Sequence, residues 1–373
     1  MSASTAKIAV AFGGPSPEHD VSILTGLLAA HELAGAGRDV SALYWSKTGE
    51  WFQVDPSAEA AAFVEGVPRE AQSLRLAMGE GGGFAVAGGR LGRARALEID
   101  VVVNCCHGGP GEDGSLQAGF DLAGIRYTGP DVAGAALGMD KLAFAGVAEA
   151  AGLPVLPRRP VLAGATEVGF DGPYIMKPRF GGSSIGIQVV ADVATAAAQL
   201  QTGTHYRRGA VLEPYRAELF DLNVAVRSWP ALSLSAIERP LRTSTGAEIL
   251  GYHDKYVGGQ GMASAPRELP AAITPKLADA LRACALEVAG LADVRGVARI
   301  DFLSDGDELY LNEVNTIPGS LARYLWVDPP VPFLALLDDM VEEAGARPTA
   351  RYSAAGADGT VLRGAGAIAA KLA

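Results

Sequence analysis

The first apolar run, Ile8 to Phe12, is short and unbroken. It ends in Gly13-Gly14-Pro15-Ser16-Pro17 and is followed by apolar residues at helical spacing from Val21 to Leu33. Strand, glycine turn and helix in that order predict the opening unit of a parallel α/β sheet. Val40 to Trp45 predicts a second strand, Gly49-Glu50-Trp51-Phe52 a turn back, and Val101-Val102-Val103 a third, fully apolar strand closed by Gly108-Gly109. Loops at the ends of such strands deliver side chains into the crevice where α/β folds place ligands. The glycine-rich stretch from Gly79 to Gly89 leads into no helical pattern, which predicts a surface hairpin turn rather than a phosphate loop.

Gly129-Pro130 breaks the pattern and marks a boundary. Beyond it, Val132 to Ala151 predicts a helix, and strands are expected from Tyr174 to Val189. The later chain predicts a helix from Leu277 to Ala289, strands from Val297 to Leu303 and from Leu309 to Val314, and a helix from Phe333 to Ala344. The organisation expected is three α/β or α+β lobes in sequence.

Composition narrows the function classes. With 373 residues, 49% of them hydrophobic and 20% charged, the chain is long enough for two or three domains and needs no stapling by disulfides or metals. A formal charge of −11, from 31 Lys and Arg against 42 Asp and Glu, gives no basic field for a nucleic acid or an anionic membrane. Cys105, Cys106 and Cys284 are too few for a disulfide framework, and no apolar stretch reaches the roughly 20 residues of a spanning helix. Neither a signal-peptide core nor a cleavage site follows Lys7, so a cytoplasmic protein is expected.

Three segments carry chemistry. Lys177-Pro178-Arg179-Phe180-Gly181-Gly182-Ser183-Ser184-Ile185-Gly186 lies between two expected strands. Its glycines let backbone amides approach an anion, its hydroxyls can donate to phosphate oxygens and Lys177 adds a cation. Read by itself it is either a phosphate flap or a mobile solvent loop, and it is not a Walker A loop. In Ala298-Arg299-Ile300-Asp301-Phe302 and Leu311-Asn312-Glu313-Val314-Asn315, strand alternation puts Arg299 with Asp301 on one face and Glu313 with Asn315 on one face. A hairpin pairing those faces gathers hard oxygen ligands suited to Mg²⁺ on phosphates, with a guanidinium to neutralise a developing oxyanion. Cys105-Cys106-His107-Gly108-Gly109-Pro110-Gly111-Glu112-Asp113-Gly114-Ser115 offers a lone histidine at a strand end, more often structural than catalytic, and two cysteines expected to be buried thiols. A dinucleotide oxidoreductase is suggested only by the opening strand and turn, which lack the Gly-x-Gly-x-x-Gly fingerprint.

Taken in order, Glu-His-x-Val-Ser from Glu18, His-Gly-x-x-Gly-Glu-Asp-Gly from His107, Met-Asp-Lys ending at Lys141, Lys-Pro-x4-Ser-Ser-x-Gly from Lys177, Lys255-Tyr256, Arg-x-Asp from Arg299 and Asn-Glu-x-Asn-Thr-x-Pro-Gly ending at Gly319 closely resemble the D-alanine:D-alanine ligase family of the ATP-grasp superfamily. The match runs over essentially the whole length. The resemblance implies a three-lobed ATP-grasp fold, with an N-terminal α/β substrate domain at 1–129, a central lobe with the flap at 130–214 and a third lobe with the metal and oxyanion site at 215–373. It also implies ATP as substrate, two Mg²⁺ or Mn²⁺ ions, a homodimer and a role in making cell-wall peptidoglycan precursors. One amino-acid carboxylate is phosphorylated and a second amino acid's amine attacks the acyl phosphate.

On the matching positions, the resemblance implies that Glu18 binds the first substrate's ammonium group, with Ser183 and Tyr256 ordering substrate and flap. Lys141, Lys177 and Lys255 hold phosphates, with Ser184 beside them in the flap. Glu213, Tyr215 and Asp221 receive adenine and ribose, Asp221 standing where a glutamate is usual. Asp301, Glu313 and Asn315 are the metal ligands, Arg299 and the Gly319 backbone form the oxyanion site, and His107 belongs to the substrate site. After Pro318-Gly319 the family continues Met/Phe-Thr-x-x-Ser, whereas this chain reads Ser320-Leu321-Ala322-Arg323-Tyr324-Leu325. Tyr324 replaces the serine that binds the second substrate's carboxylate, so Arg323, Tyr324 and Leu325 become the expected acceptor residues. That departure opens a second version, a paralogue with another acceptor amine, amino acid or hydroxy acid. A non-catalytic nucleotide-binding regulator is the alternative of another class, and an oxyanion arginine serves no purpose there.

Overall fold

A computed structural model describes residues 1–87, 94–241, 266–350, 352–366 and 368. The opening run forms β1 (Lys7–Gly13), every residue after Lys7 buried, and the helix after the glycine turn is α1 (His19–Gly35). Next come β2 (Asp39–Trp45), β3 (Trp51–Val54), β4 (Gln72–Ala77), β5 (Gly83–Val86), β6 (Arg95–Ala96) and β7 (Val101–Asn104). They form one sheet in the order β6-β5-β4-β3-β2-β1-β7. Strand β1 pairs in parallel with its neighbours β2 and β7, and the strands beyond β2 fold back as antiparallel hairpins. Of the stretch from Gly79 to Gly89 expected as a hairpin turn, the first residues make the β4–β5 connection, Gly83–Val86 is β5 itself, and Gly88 and Gly89 lie outside the described residues.

Helices α2 (Gly109–Glu112), α3 (Ser115–Ala123), α4 (Val132–Met139) and α5 (Lys141–Ala150) follow. The single helix expected from Val132 to Ala151 is two, broken at Asp140. That residue is extended (φ −85°, ψ 96°), and its carboxylate accepts from the amides of Leu142 and Ala143, so it starts a new helix.

The second sheet, in the order β10-β9-β11-β8, is built from β8 (Arg159–Pro160), β9 (Tyr174–Pro178), β10 (Gln188–Val190) and β11 (Ala210–Pro214), with α6 (Val193–Thr202) packed on it. The third, in the order β13-β12-β16-β17, is antiparallel and uses β12 (Phe220–Arg227), β13 (Ser233–Leu234), β16 (Val297–Ser304) and β17 (Leu309–Asn315). A two-residue ribbon, β14 (Arg239–Pro240) with β15 (Arg267–Glu268), lies beside it. Helix α7 (Pro275–Leu291) covers the third sheet together with Phe144 and Ala148 of α5.

The last long helix, α8 (Phe333–Ala346), returns to the first sheet. Its Phe333, Leu336, Leu337, Met340 and Val341 share a core with Ile8, Val10, Phe12 and Val101. Among the described residues no helix is long and apolar enough to cross a membrane.

Candidate active site

The three sheets meet around two adjoining cavities. Glu18, His107, Ser183, Arg299, Gly319 and Tyr324 line the first, while Lys177, Ser184, Glu213 and Tyr215 line the second. Lys141, Asp221, Asp301 and Glu313 belong to both, and Asn315 to the first. The wall between the cavities therefore carries Asp301 and Glu313, two of the three oxygen ligands expected from the sequence.

Glu18 occupies the position before α1, yet its side chain caps nothing in the helix. It reaches across to the flap, where Ser183 donates to its Oε1 from 165 residues away in sequence. Gly108 and Gly182 close the space around this carboxylate. A Cβ on either would run into Glu18 Oε2, and Gly108 also has a left-handed backbone (φ 62°) that favours glycine. In the same segment Val21 also lines the first cavity, and His19 and Ser22 are scaffolding. His19 donates from Nδ1 to the Gly14 carbonyl and accepts from the Tyr44 hydroxyl, while Ser22 ties Gly13 N to the Cys105 carbonyl.

His107 is fully enclosed. Nδ1 donates to the Ile317 carbonyl at 2.7 Å and Nε2 accepts from Thr25 Oγ1 at 2.8 Å. Burial lowers its pKa to about 4, so the ring is neutral. Glu112, which sequence reasoning left without a role although it stands in the quoted motif, accepts from the amides of Gly108 and Ile317, each at 2.9 Å. Burial raises its pKa to about 7, with Glu18 adding a smaller push. Cys105 and Cys106 are buried, and burial raises both thiols.

In the β16–β17 hairpin Arg299 faces Asn315 and Asp301 faces Glu313, as the alternation predicts. Asp301 takes the Arg299 fork at 2.6 and 2.7 Å and also accepts from Asn315 Nδ2 at 3.0 Å. Lys141 Nζ lies 3.0 Å from Glu313 and donates to the Gly181 carbonyl at 2.6 Å, joining α5 to the flap. A bulge follows Asp301 and leaves Asn312 as the extra residue. Asn312 Oδ1 accepts from Lys177 at 3.0 Å, and its carbonyl accepts from Arg158 at 3.0 Å.

Lys177 and Arg158 both pair with the buried Glu213 carboxylate, at 2.8 and 2.6 Å. Burial alone would raise that carboxyl, but Arg158 and Lys177 bring it below its usual value and keep it ionised. Arg158 carried no sequence signal, because a buried arginine belongs to no motif. The Glu213 side chain is thus committed inside the protein.

The acceptor-side residues divide. Tyr324 lines the first cavity, but the Arg323 expectation needs correction, since that side chain is exposed and stacks over Phe333; the Leu325 side chain is buried in the core. The reason is the backbone. Ser320, Leu321 and Ala322 are all left-handed (φ 51°, 49° and 49°), and this winding turns Leu321, Ala322 and Leu325 inward and Arg323 outward. Lys255 and Tyr256 lie outside the described residues.

This arrangement suits transfer of a phosphoryl group between two bound molecules, and known proteins can be set beside it. Residues 7–130 match the D-ala D-ala ligase N-terminus and residues 146–342 the D-ala D-ala ligase C-terminus. The chain belongs to the D-alanine–D-alanine ligase family. It is 31% identical over 361 residues to a D-alanine–D-alanine ligase of Bradyrhizobium sp. (strain ORS 278), spanning 93% of this chain and 97% of that protein. A D-alanine–D-alanine ligase of Methylobacterium sp. (strain 4-46) is 33% identical over 367 residues, 91% of each. In fold, this family member resembles the crystal structure of D-alanine–D-alanine ligase from Helicobacter pylori (TM-score 0.69, 23% identity, 92% of this chain and 99% of that one). It also resembles the VanG D-Ala:D-Ser ligase from Enterococcus faecalis (TM-score 0.71, 23% identity, 91% and 99%). The fold is ATP-grasp.

Proposed function

We propose that this family member joins two D-alanine molecules at the expense of ATP, making the dipeptide for peptidoglycan precursors. The observation that carries the reading is the shared wall. One cavity holds Glu18, Ser183 and Arg299, the other holds Lys177 and Tyr215, and Lys141, Asp301 and Glu313 border both. A carboxylate in the first cavity and a terminal phosphate in the second would meet there.

In this reading Glu18, held by Ser183, pairs with the ammonium of the first D-alanine and turns its carboxylate toward the wall. A carboxylate oxygen attacks the γ-phosphorus, forming an acyl phosphate and releasing ADP. Lys141, Lys177 and Lys255 hold phosphate oxygens, with Ser184 beside them. Tyr215, Asp221 and the Glu213 backbone receive adenine and ribose. The second D-alanine's amine, having lost its ammonium proton, attacks the acyl carbon. Arg299 and the Gly319 amide stabilise the oxyanion that results, and phosphate leaves as the C–N bond is completed. Tyr256, which lies outside the described residues, is proposed from the family resemblance to help order substrate and flap.

Asp301, Glu313 and the Asn315 amide oxygen are hard donors on adjacent strands, the chemistry that Mg²⁺ or Mn²⁺ takes, and they would hold two ions. Such ions supply neutralisation of the phosphate charge. The homodimer, the cytoplasmic setting and the lobes at 1–129, 130–214 and 215–373 complete the proposal.

Phosphate release from ATP and Mg²⁺ with D-alanine, L-alanine as control and product identification by mass tests it. D-alanine-dependent release with the mass of D-alanyl-D-alanine is expected. ATP turnover indifferent to D-alanine would overturn it. Tyr324 favours a second reading, with D-alanine as donor to a different acceptor, and the same assay with other amino acids and hydroxy acids separates the two.

A further inference from the structure

Arg158, immediately before β8, is buried behind the wall of the second cavity. All three nitrogens of its guanidinium are engaged. Nε pairs with Glu213 Oε1 at 2.6 Å, Nη1 donates to the Lys141 carbonyl at 2.7 Å and Nη2 to the Asn312 carbonyl at 3.0 Å. One side chain thus joins β11, the start of α5 and the bulge of β17. Those three partners line the second cavity and Arg158 does not, so it acts on a ligand there only through them. Lys177 approaches the same carboxylate from its other oxygen: Nζ donates to Glu213 Oε2 at 2.8 Å and to Asn312 Oδ1 at 3.0 Å.

Lys177 and Glu213 alone would be a neutral buried pair with little pull on an anion. With Arg158 on the second oxygen, two cations share one counter-ion, and the three groups together carry one positive charge. Arginine suits the hidden place because it stays protonated when buried. The surplus meets the cavity at Lys177, which lines it. By contrast, Lys141 lies against Glu313 at 3.0 Å, one cation to one carboxylate. A buried charge in excess is costly, its field is weakly screened, and an anion entering the cavity relieves it.

We infer that Arg158 is a positioning residue for the ATP phosphates: by taking one oxygen of Glu213 it leaves Lys177 with positive charge in excess for them to balance. This inference rests on the reading of the second cavity as the ATP site.

The test measures binding of ATP to the full chain by calorimetry, with Mg²⁺ and no amino acid, and of adenosine by displacement. Arg158→Met is expected to weaken ATP by about 10- to 100-fold and adenosine, which has no phosphate, by less than about threefold. Arg158→Lys keeps the charge and is expected to stay within about fivefold of wild type for ATP. Adding Glu213→Gln to Arg158→Met brings back the single positive charge and none of the lost contacts to Lys141 and Asn312. That double variant is expected to recover most of the ATP affinity. Partial unfolding scales both dissociation constants alike and leaves their ratio unmoved. A wild type that binds no ATP would overturn the ATP reading and this inference with it. A wild type that binds ATP, with a methionine variant that weakens ATP and adenosine equally or a double variant no better than the single one, would overturn this inference alone.

Discussion

His107 and Glu112 sit in one motif, both buried, and their titrations oppose each other. For His107 the ordinary value of 6.5 falls to about 4, so between these limits the unfolded chain binds a proton that the folded one refuses, and stability rises with pH. For Glu112 the ordinary value of 4.5 rises to about 7, so the folded chain keeps a proton the unfolded one has released, and stability falls with pH. Each slope is worth up to about 3 kcal/mol over its window, and in the wild type they largely cancel. Relative to wild type, Glu112→Gln should become progressively more stable as pH rises from 4.5 to 7, and His107→Asn progressively more stable as pH falls from 6.5 to 4. Urea denaturation at a series of pH values measures both, and two difference profiles flat with pH would contradict the account. Legibility at individual residues followed motif membership. Glu18, Ser183, Lys141, Lys177, Asp301 and Glu313 were readable because their spacing is distinctive, and they do line the cavities. Arg158 was not, because a buried polar residue is recognised by its partners, and those come from distant elements.

Among the elements, α5 shows how a local signal fixes the site. Asp140 caps the helix and also takes both arms of Arg179, at 2.7 and 2.6 Å, so one carboxylate joins helix start and flap. Lys141 is the next residue, and its reach to Glu313 depends on where the helix begins. Asp140→Ala is expected to cost about 1–3 kcal/mol in guanidinium denaturation. It should also raise the KM for ATP, whereas Arg179→Met keeps the cap and should lose less stability. The positions of β1, α1, β2, β7, α7, β16, β17 and α8 were legible from periodicity, whereas the short strands β4 to β6 and β11 to β15 were not; the break at Asp140 was hidden too, because both halves continue one apolar pattern. The bulge at Asn312 was equally hidden. Alternation predicts which residues share a face only while the register is unbroken, and pairing with another strand decides where it breaks.

Across the whole molecule, the sequence order of the lobes and the packing of their cores are different things. Helix α8 completes the core of the first sheet, and the left-handed turn at Ser320 to Ala322 fastens beneath it: Ser320 N donates to Thr25 Oγ1 at 3.0 Å, and Thr25 donates to His107. Leu337 is fully buried in that shared core. Leu337→Ala is expected to cost about 2–5 kcal/mol and to lower the midpoint seen by tryptophan fluorescence and by circular dichroism together. A loss confined to one probe would show that the sheets unfold separately. Patterning alone suggested three lobes in sequence, but not the strand order of their sheets or the return of α8, since an apolar stripe fits any sheet face equally well. That return bears on synthesis. The ribosome finishes the first sheet more than two hundred residues before Phe333 to Val341 are made, and until they emerge the core that Ile8, Val10 and Phe12 share with α1 lacks the part α8 supplies, chiefly along β7. The N-terminal lobe is therefore expected to reach its full packing only after nearly the whole chain has been translated.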